Sequence, residues 1–383
     1  MVDVKGPVGE NPADFFIIFH SFLGILNPKG VFVVLGKVKV GIIGTGLAWE
    51  RLHYPAYREL SDKYEIVAVC DVNFERAEEW GRRLILDPAR DVFTDYRVMI
   101  ERNDIQAVDI MVPISENHPV AETVAQAGKA VILEKPMGAT LEQAYATLEL
   151  PRRYGIQMMI AENFRYSEEF KIIRDLVRQK KLGEPVFFIY HNTGCFPCAM
   201  VKDTFSATEW RQHPEYPGGD ILDAAIHNLA GIRHIFGGIK FLHAFGVPQK
   251  DEFSPYAAIT VNLKFINGVA GEFSYYPAGR EIQKPLVGLR IFCRNGMIYL
   301  EDNQCGIINL FYNDGYHEMV HFQPMRGYYN ELLNFYNALT GLELIAVTPE
   351  MEIGDIKTVL AILQAINEEE VVIVDRTPRF TMA

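Results

Sequence analysis

The sequence predicts a two-domain α/β protein, with an N-terminal doubly wound parallel sheet followed by an α/β domain built on a large, mostly antiparallel open sheet. Three observations carry this expectation. The glycine cluster Gly41-x-x-Gly44-x-Gly46 closes an apolar, β-branched run that begins at Val38. A second apolar run over residues 65–70 ends in Asp71. Beyond about residue 162, the alternation of strand and helix gives way to strands in succession, separated by Gly, Asn and Pro. At 383 residues the chain is long enough for two domains with sizeable cores.

Residues 1–37 read as an extension outside the main fold. Apolar stretches at 15–26 and 31–35 flank the polar turn Asn27-Pro28-Lys29-Gly30, and each is too short to span a bilayer. Asp3, Glu10 and Asp14 outnumber Lys5 where a secretory leader would carry basic residues. The extension is either sequence ahead of a natural start near Val38 or an arm that packs on a neighbouring subunit.

The first domain is expected over residues 38–162. Its opening strand runs into a tight turn at Gly44-Thr45-Gly46 and then a helix, where glycines let backbone N–H groups approach a pyrophosphate. Asp71, at the end of the second strand, suits the hydroxyls of an adenosine ribose. It favours NAD over NADP, because Val72 and Asn73 offer no positive charge to a 2′-phosphate. Trp49 stands at the third position of the glycine fingerprint, where a small residue normally allows close packing, so the helix is expected to start later or sit differently. Strands near 108–112, 129–133 and 156–160, with helices near 119–126 and 141–154, complete the unit.

The second domain is expected over residues 163–383. A helix at 168–179, a strand at 186–191, a long loop and a helix at 219–236 precede strands near Phe241, Ile259, Val269, Leu289 and Met297. Helices at 328–339 and 353–366 close the chain, with Tyr328 and Tyr329 read as core.

Composition narrows the function. The balance of 37 basic and 49 acidic residues gives a net charge of −12, which argues against a nucleic-acid or anionic-membrane surface. Five scattered cysteines suggest reduced thiols and a cytoplasmic protein. Cys195-Phe-Pro-Cys198, with His191 and His213 nearby, lacks a second CxxC, so no metal is expected.

Two further motifs bear chemistry. Glu134-Lys135-Pro136 places a lysine at the end of a strand of the nucleotide-binding unit. Asp223 and His227 lie four apart on a helix, hence on one face, where a carboxylate can orient an imidazole for acid–base work near neutral pH. An ordinary surface pair has the same spacing.

From Val38 onward the chain resembles the Gfo/Idh/MocA family of oxidoreductases. The resemblance rests on Gly41-Ile-Ile-Gly44-Thr-Gly46 with His53-Tyr-Pro55, on Cys70-Asp71, and on residues 127–136 ending in Glu134-Lys135-Pro136. Glu162-Asn163-Phe-Arg165-Tyr166, Trp210-Arg211 and Gly218-Gly219 with Asp223 and His227 extend it. It implies a Rossmann domain, a C-terminal domain whose sheet joins subunits into a dimer or tetramer, and an active site between the two domains. By position, Lys135, Asp223 and His227 are the implied catalytic residues. His227 would take a hydroxyl proton, Lys135 would bind the alcohol oxygen, and Asp223 would hold the imidazole. Gly44, Thr45, Gly46, Asp71, Glu134 and Lys135 would face the cofactor, with Glu134 shaping the turn that carries the lysine. Asn163, Arg165, Trp210 and Arg211 would line a polyol pocket, or else pack between domains. His118 reads as structural or part of the cofactor loop. The implied activity is an NAD-dependent dehydrogenase or reductase acting on a secondary hydroxyl or carbonyl of a sugar, sugar derivative or cyclitol. The alternatives are an NAD-dependent glycosidase of the same superfamily and a non-catalytic nucleotide-sensing regulator.

Overall fold

The computed structural model describes residues 24–26, 32–34, 36–201, 203–279 and 287–374. The short strands β1 (Gly24–Leu26) and β2 (Phe32–Val34) pair antiparallel and form a sheet of their own. The rest of the proposed extension lies outside the described residues.

Six strands then form an all-parallel sheet: β3 (Val38–Ile43), β4 (Tyr64–Cys70), β5 (Val92–Phe93), β6 (Ala107–Ile110), β7 (Ala130–Glu134) and β8 (Met158–Ala161). Their order is β5-β4-β3-β6-β7-β8. The order reverses between β3 and β6, and in open α/β sheets the crevice at such a reversal receives the ligand. β6, β7 and β8 are buried along their full length or nearly so, which is why they read as unbroken apolar runs rather than alternating ones.

The second sheet has nine strands: β9 (Pro185–Thr193), β10 (Ile239–Pro248), β11 (Tyr256–Phe265), β12 (Ala270–Tyr276), β13 (Val287–Cys293), β14 (Gly296–Leu300), β15 (Ile307–Tyr312), β16 (His317–His321) and β17 (Val372–Ile373). They lie in the order β16-β15-β14-β13-β9-β12-β11-β10-β17. Every neighbouring pair is antiparallel except β9 with β12, which run parallel at the centre. The sequence reading ended the strands near Met297 and missed β15, β16 and β17. β16 (HEMVH) is a mostly polar edge strand with no buried residue, so it lacks the apolar signal of a core strand.

The helices Glu168–Arg178, Ile226–Phe236 and Pro349–Glu368 pack on one another, and the last also packs on β10. The Pro349–Glu368 helix further touches β8 and the Leu141–Tyr154 helix, and so bridges the two sheets' layers. Among the described residues, no helix is long and apolar enough to cross a membrane.

Trp49 shows how the chain absorbs a large residue where a small one was expected. The helix starts directly after Gly46, but residues Trp49–His53 form a π-helical turn before regular α-helix resumes at Tyr54. The wider turn admits the indole to an aromatic cluster with Trp80, Tyr54 and Tyr57, and Trp49 is fully buried. The expectation of a later helix start therefore fails.

Candidate active site

The nucleotide turn is shaped by a close backbone approach. Gly44 has φ of 88°, and a Cβ there would lie 2.1 Å from the Met111 carbonyl oxygen, so only glycine fits between β3 and the chain leaving β6. A Cβ on Gly46 would meet nothing closer than Arg76 Nη1 at 3.7 Å, so the turn's outer side is open. Asp71 holds the turn from below. Its Oδ2 accepts the Thr45 N–H (2.8 Å) and the Thr45 hydroxyl (3.0 Å), and its Oδ1 accepts the Asn73 N–H (2.9 Å). Arg76, on the first turn of the Phe74–Arg83 helix, brings Nη1 to 3.4 Å from Asp71 Oδ2. Val72 and Asn73 bring no positive charge to Asp71, as expected from the sequence, but Arg76, one helical turn further on, does. An open turn at the switch point, a glycine at Gly46 with nothing close on its outer side, and an acid at the end of the second strand fit a dinucleotide.

The lysine turn is held by buried polar groups. Asn117 Nδ2 donates to the carbonyls of Glu134 (3.1 Å) and Pro136 (2.7 Å). Glu134 Oε2 accepts the Lys135 N–H at 3.1 Å, while Oε1 pairs with His53 Nε2 at 2.9 Å. His53 is fully buried, and its Nδ1 meets Asp109 Oδ2 at 2.9 Å. Burial opposes charge on this imidazole, but the two carboxylates outweigh it and hold its pKa well above the ordinary value. His53 is thus a buried cation between β6 and β7 that anchors the Glu134 side chain. Nearby, Glu331 is fully buried with no partner for either carboxylate oxygen. Burial, reinforced by Glu134, Asp109 and Glu162, raises its pKa well above the usual range and keeps it neutral.

Lys135 reaches into the second domain. Its Nζ donates to the Asp223 carbonyl at 2.5 Å and to Asp223 Oδ1 at 3.1 Å. Asp223 Oδ2 accepts from Arg211 Nε at 2.6 Å. The Lys135 and Asp223 side chains are 8% and 9% exposed, so this pairing is nearly dry. Burial opposes ionisation of Asp223, yet Lys135 and Arg211 outweigh it and hold the carboxyl below the usual carboxylate range.

Asp223 therefore does not hold His227, contrary to the sequence expectation. Residues Ile221–Ala225 form a π-helical turn, and the regular helix begins only at Ile226. Residues four apart across that wider turn no longer stack as they do on an α-helix. His227 Nδ1 pairs instead with Glu162 Oε1 at 2.8 Å, and its ring stacks on Phe164 at 5.0 Å. Glu162 follows β8 directly and its side chain is fully buried. Glu162 carries no assigned role in the sequence reading, where it stands only within the motif Glu162-Asn163-Phe-Arg165-Tyr166. One signal was available: it is an acid at the carboxyl end of a parallel strand, where sites of this fold gather.

The four residues assigned to a pocket divide. Arg211 joins the site through Asp223, and its guanidinium lies 3.9 Å from the Trp210 ring centroid. Asn163 has a buried Oδ1 without a partner. Arg165 does not join them: it is buried in a two-toothed pairing with Asp355, which also binds Arg233. His118 is structural, with Nδ1 at 2.9 Å from Thr147 Oγ1. Tyr328 packs on His53 at 5.6 Å.

Cys195 and Cys198 form a disulfide, with Cα atoms 5.1 Å apart, across the turn Pro197–Ala199. The reduced-thiol expectation fails at this pair, because the turn folds the two sulfurs together. Their sulfurs are then unavailable as thiolate ligands. Cys70, Cys293 and Cys305 are free thiols. Among the described residues, no group of three or more His, Cys, Asp or Glu is arranged to hold a metal ion.

Comparison with known proteins bears on this geometry. Residues 38–162 match a family model described as an oxidoreductase family with an NAD-binding Rossmann fold, and residues 170–299 match one described as the GFO/IDH/MocA C-terminal domain. The uncharacterized protein YMR315W of Saccharomyces cerevisiae is 28% identical over 269 residues, covering 70% of this chain and 75% of the yeast protein. D-apiose dehydrogenase of Paraburkholderia graminis is 29% identical over 248 residues, covering 65% of this chain and 63% of that enzyme. The match thus spans less than two thirds of the latter. An oxidoreductase of Thermotoga maritima superposes with a TM-score of 0.77 at 25% identity, covering 88% of this chain and 99% of that one. A levoglucosan dehydrogenase solved with NADH and levoglucosan shares the fold, with a TM-score of 0.78 at 18% identity, covering 89% and 100%.

Proposed function

Since the chain belongs to the Gfo/Idh/MocA family of oxidoreductases, we propose that it transfers a hydride between NAD and a secondary hydroxyl or carbonyl of a sugar, sugar derivative or cyclitol. The observation that carries this reading is the meeting of Lys135, from the end of the nucleotide-binding sheet, with Arg211 and Asp223 of the other domain, the latter four residues ahead of His227 in the chain. Relatives support the substrate class: D-apiose dehydrogenase and levoglucosan dehydrogenase both act on carbohydrates by name.

Gly44, Thr45 and Gly46 would take the pyrophosphate and Asp71 the ribose, and NAD so bound supplies the hydride acceptor. The chain's own residues do the rest. His227 Nε2 makes no hydrogen bond among the described residues, and it accepts the hydroxyl proton as the C–O bond gains double-bond character. Lys135 Nζ has three N–H donors. Two point to Asp223, and the third meets the substrate oxygen and stabilises its growing negative charge. Asp223 keeps this ammonium in place. Carbonyl reduction is the same path reversed, with His227 returning the proton.

Asp71 favours NAD over NADP by repelling a 2′-phosphate, with Arg76 countering part of that repulsion. The test of the activity is absorbance of the reduced nicotinamide during incubation with NAD and a panel of sugars, cyclitols and their glycosides. Net NADH from a free polyol is the expected result. Cleavage of a glycoside without net NADH would replace the dehydrogenase reading with the glycosidase one, and no turnover of any panel member despite NAD binding would favour the regulator.

A further inference from the structure

We infer that Glu162 is the positioning residue for His227, fixing the imidazole as the Nδ1–H tautomer so that Nε2 carries the lone pair that accepts the substrate proton. The inference rests on the reading of His227 as the base.

It begins with the direction of one hydrogen bond. Glu162 Oε1 lies 2.8 Å from His227 Nδ1 and also accepts the Phe164 backbone N–H at 3.1 Å. An oxygen already receiving a backbone N–H acts as an acceptor, so the hydrogen between Oε1 and Nδ1 belongs to the imidazole. A free histidine side chain prefers the opposite tautomer, with the hydrogen on Nε2. That form would present an N–H, not a lone pair, to an alcohol and could not remove its proton. The Glu162 side chain is fully buried, so water does not compete for Nδ1 from its side.

The local backbone makes the arrangement rigid. Glu162 caps the short 3₁₀ turn Asn163–Arg165 through its bond to Phe164 N–H, and Phe164 from that turn stacks on the imidazole at 5.0 Å with 21° between planes. One segment therefore grips the ring by edge and by face. Arg165 of the same turn is locked to Asp355, which ties the segment to the Pro349–Glu368 helix. Asp223, the other acid near His227, has both carboxylate oxygens engaged by Lys135 and Arg211. Two acids thus serve two catalytic residues: Asp223 serves the lysine and Glu162 the histidine.

The test reads the tautomer directly, through long-range ¹H–¹⁵N correlation spectra of the full-length protein labelled with ¹⁵N-histidine. The His227 signals, assigned by their absence in His227→Ala, should show the Nδ1–H tautomer in the wild type above the imidazole's titration range. Glu162→Gln keeps an acceptor oxygen held by the Phe164 N–H and should keep the tautomer. Glu162→Leu removes the acceptor and should give a tautomer mixture, with kcat for polyol oxidation falling about 10²-fold, the scale of a displaced general base. KM and NAD affinity should stay within a small factor. Asp223→Asn should leave the His227 tautomer unchanged. A wild-type His227 in the Nε2–H form, or an unaltered tautomer in Glu162→Leu, would overturn the inference. Should the leucine variant fail to fold, the wild-type spectrum alone still decides. Because the spectra need no substrate, a protein that turns over no polyol could still pass or fail this test, which separates it from the activity itself.

Discussion

Asp223 carries more at the residue scale than its spacing from His227 suggested. Its carboxylate is the only one hydrogen-bonded to the Lys135 ammonium among the described residues, and it also pairs with Arg211. Neutralising it would leave two poorly hydrated cations without this counter-charge, and breaking a buried pairing of this kind costs about 3–5 kcal/mol. Asp223→Asn is expected to lower the urea midpoint by that measure and to reduce turnover together, whereas His227→Ala should leave the midpoint near wild type. Equal stability of Asp223→Asn and wild type would mean that the Lys135 pairing is not formed in solution. We propose that Asp71 and Arg76 set the choice between NAD and NADP. Calorimetric titration should give a lower Kd for NAD than for NADP in the wild type. In Asp71→Asn, the charge that repels a 2′-phosphate is gone while Arg76 remains, so the preference should shrink or reverse. Tighter binding of NADP by the wild type would show that Arg76 governs instead. The glycine turn and Asp71 were legible in the sequence because a pyrophosphate and a ribose demand particular residues at particular places. Glu162 was not, since its partner is brought to it only by the tertiary fold. The pairing of Arg165 was not legible for the same reason: its partner Asp355 lies 190 residues away.

Among the described residues, two helices contain a π turn in or near their first turns, and both carry side chains toward the site. The first, Trp49–His53, buries Trp49 and sets His53 between Asp109 and Glu134. The second, Ile221–Ala225, turns Asp223 toward Lys135 and away from His227. Sequence periodicity cannot reveal an inserted residue in a helical turn, because the pattern before and after it still reads as helix. The helix over 141–154 was legible to the residue, by contrast, because its N-cap Thr140 and the left-handed Gly155 mark both ends. The second π turn is preceded by Asp220, whose carboxylate accepts from the Tyr275 hydroxyl. Burial pushes Asp220 up to about 7, with the neighbouring Asp223 charge acting in the same direction. The sign follows from linkage. A carboxyl whose folded pKa is raised holds its proton more tightly in the native state, so its contribution is complete below the unfolded value near 3.8 and is lost as pH rises through about 7. Thermal unfolding of the wild type should therefore show a midpoint that declines from pH 5 to pH 8 more steeply than in Asp220→Asn. Parallel declines in the two proteins would place the titrating group elsewhere.

At the scale of the whole molecule, the nine-stranded sheet presents an outward apolar band. Phe241, Phe187, Phe292, Met297 and Phe311 fall on one row across β10, β9, β13, β14 and β15, linked through the register pairs Phe187 with Phe292, Phe292 with Met297, and Met297 with Phe311. Phe187 and Phe292 stack with centroids 6.1 Å apart. An exposed apolar patch of this extent marks an association surface, and we propose that it joins two or more copies of the chain. Phe292→Glu should yield monomers by light scattering while retaining the folded circular-dichroism spectrum; an unchanged mass would remove this face from the assembly. One claim, on which the chemistry of the site turns, can be tested without reference to assembly. That claim is a division of labour: Lys135 and His227 carry chemistry but not NAD binding. The most direct measurement is a paired one on His227→Ala and Lys135→Ala, with NAD affinity read by calorimetry and polyol oxidation read by NADH absorbance. Both variants are predicted to bind NAD as the wild type does and to lose about 10²–10⁴-fold in kcat. Near wild-type turnover in His227→Ala, or loss of NAD binding in step with loss of turnover, would contradict it.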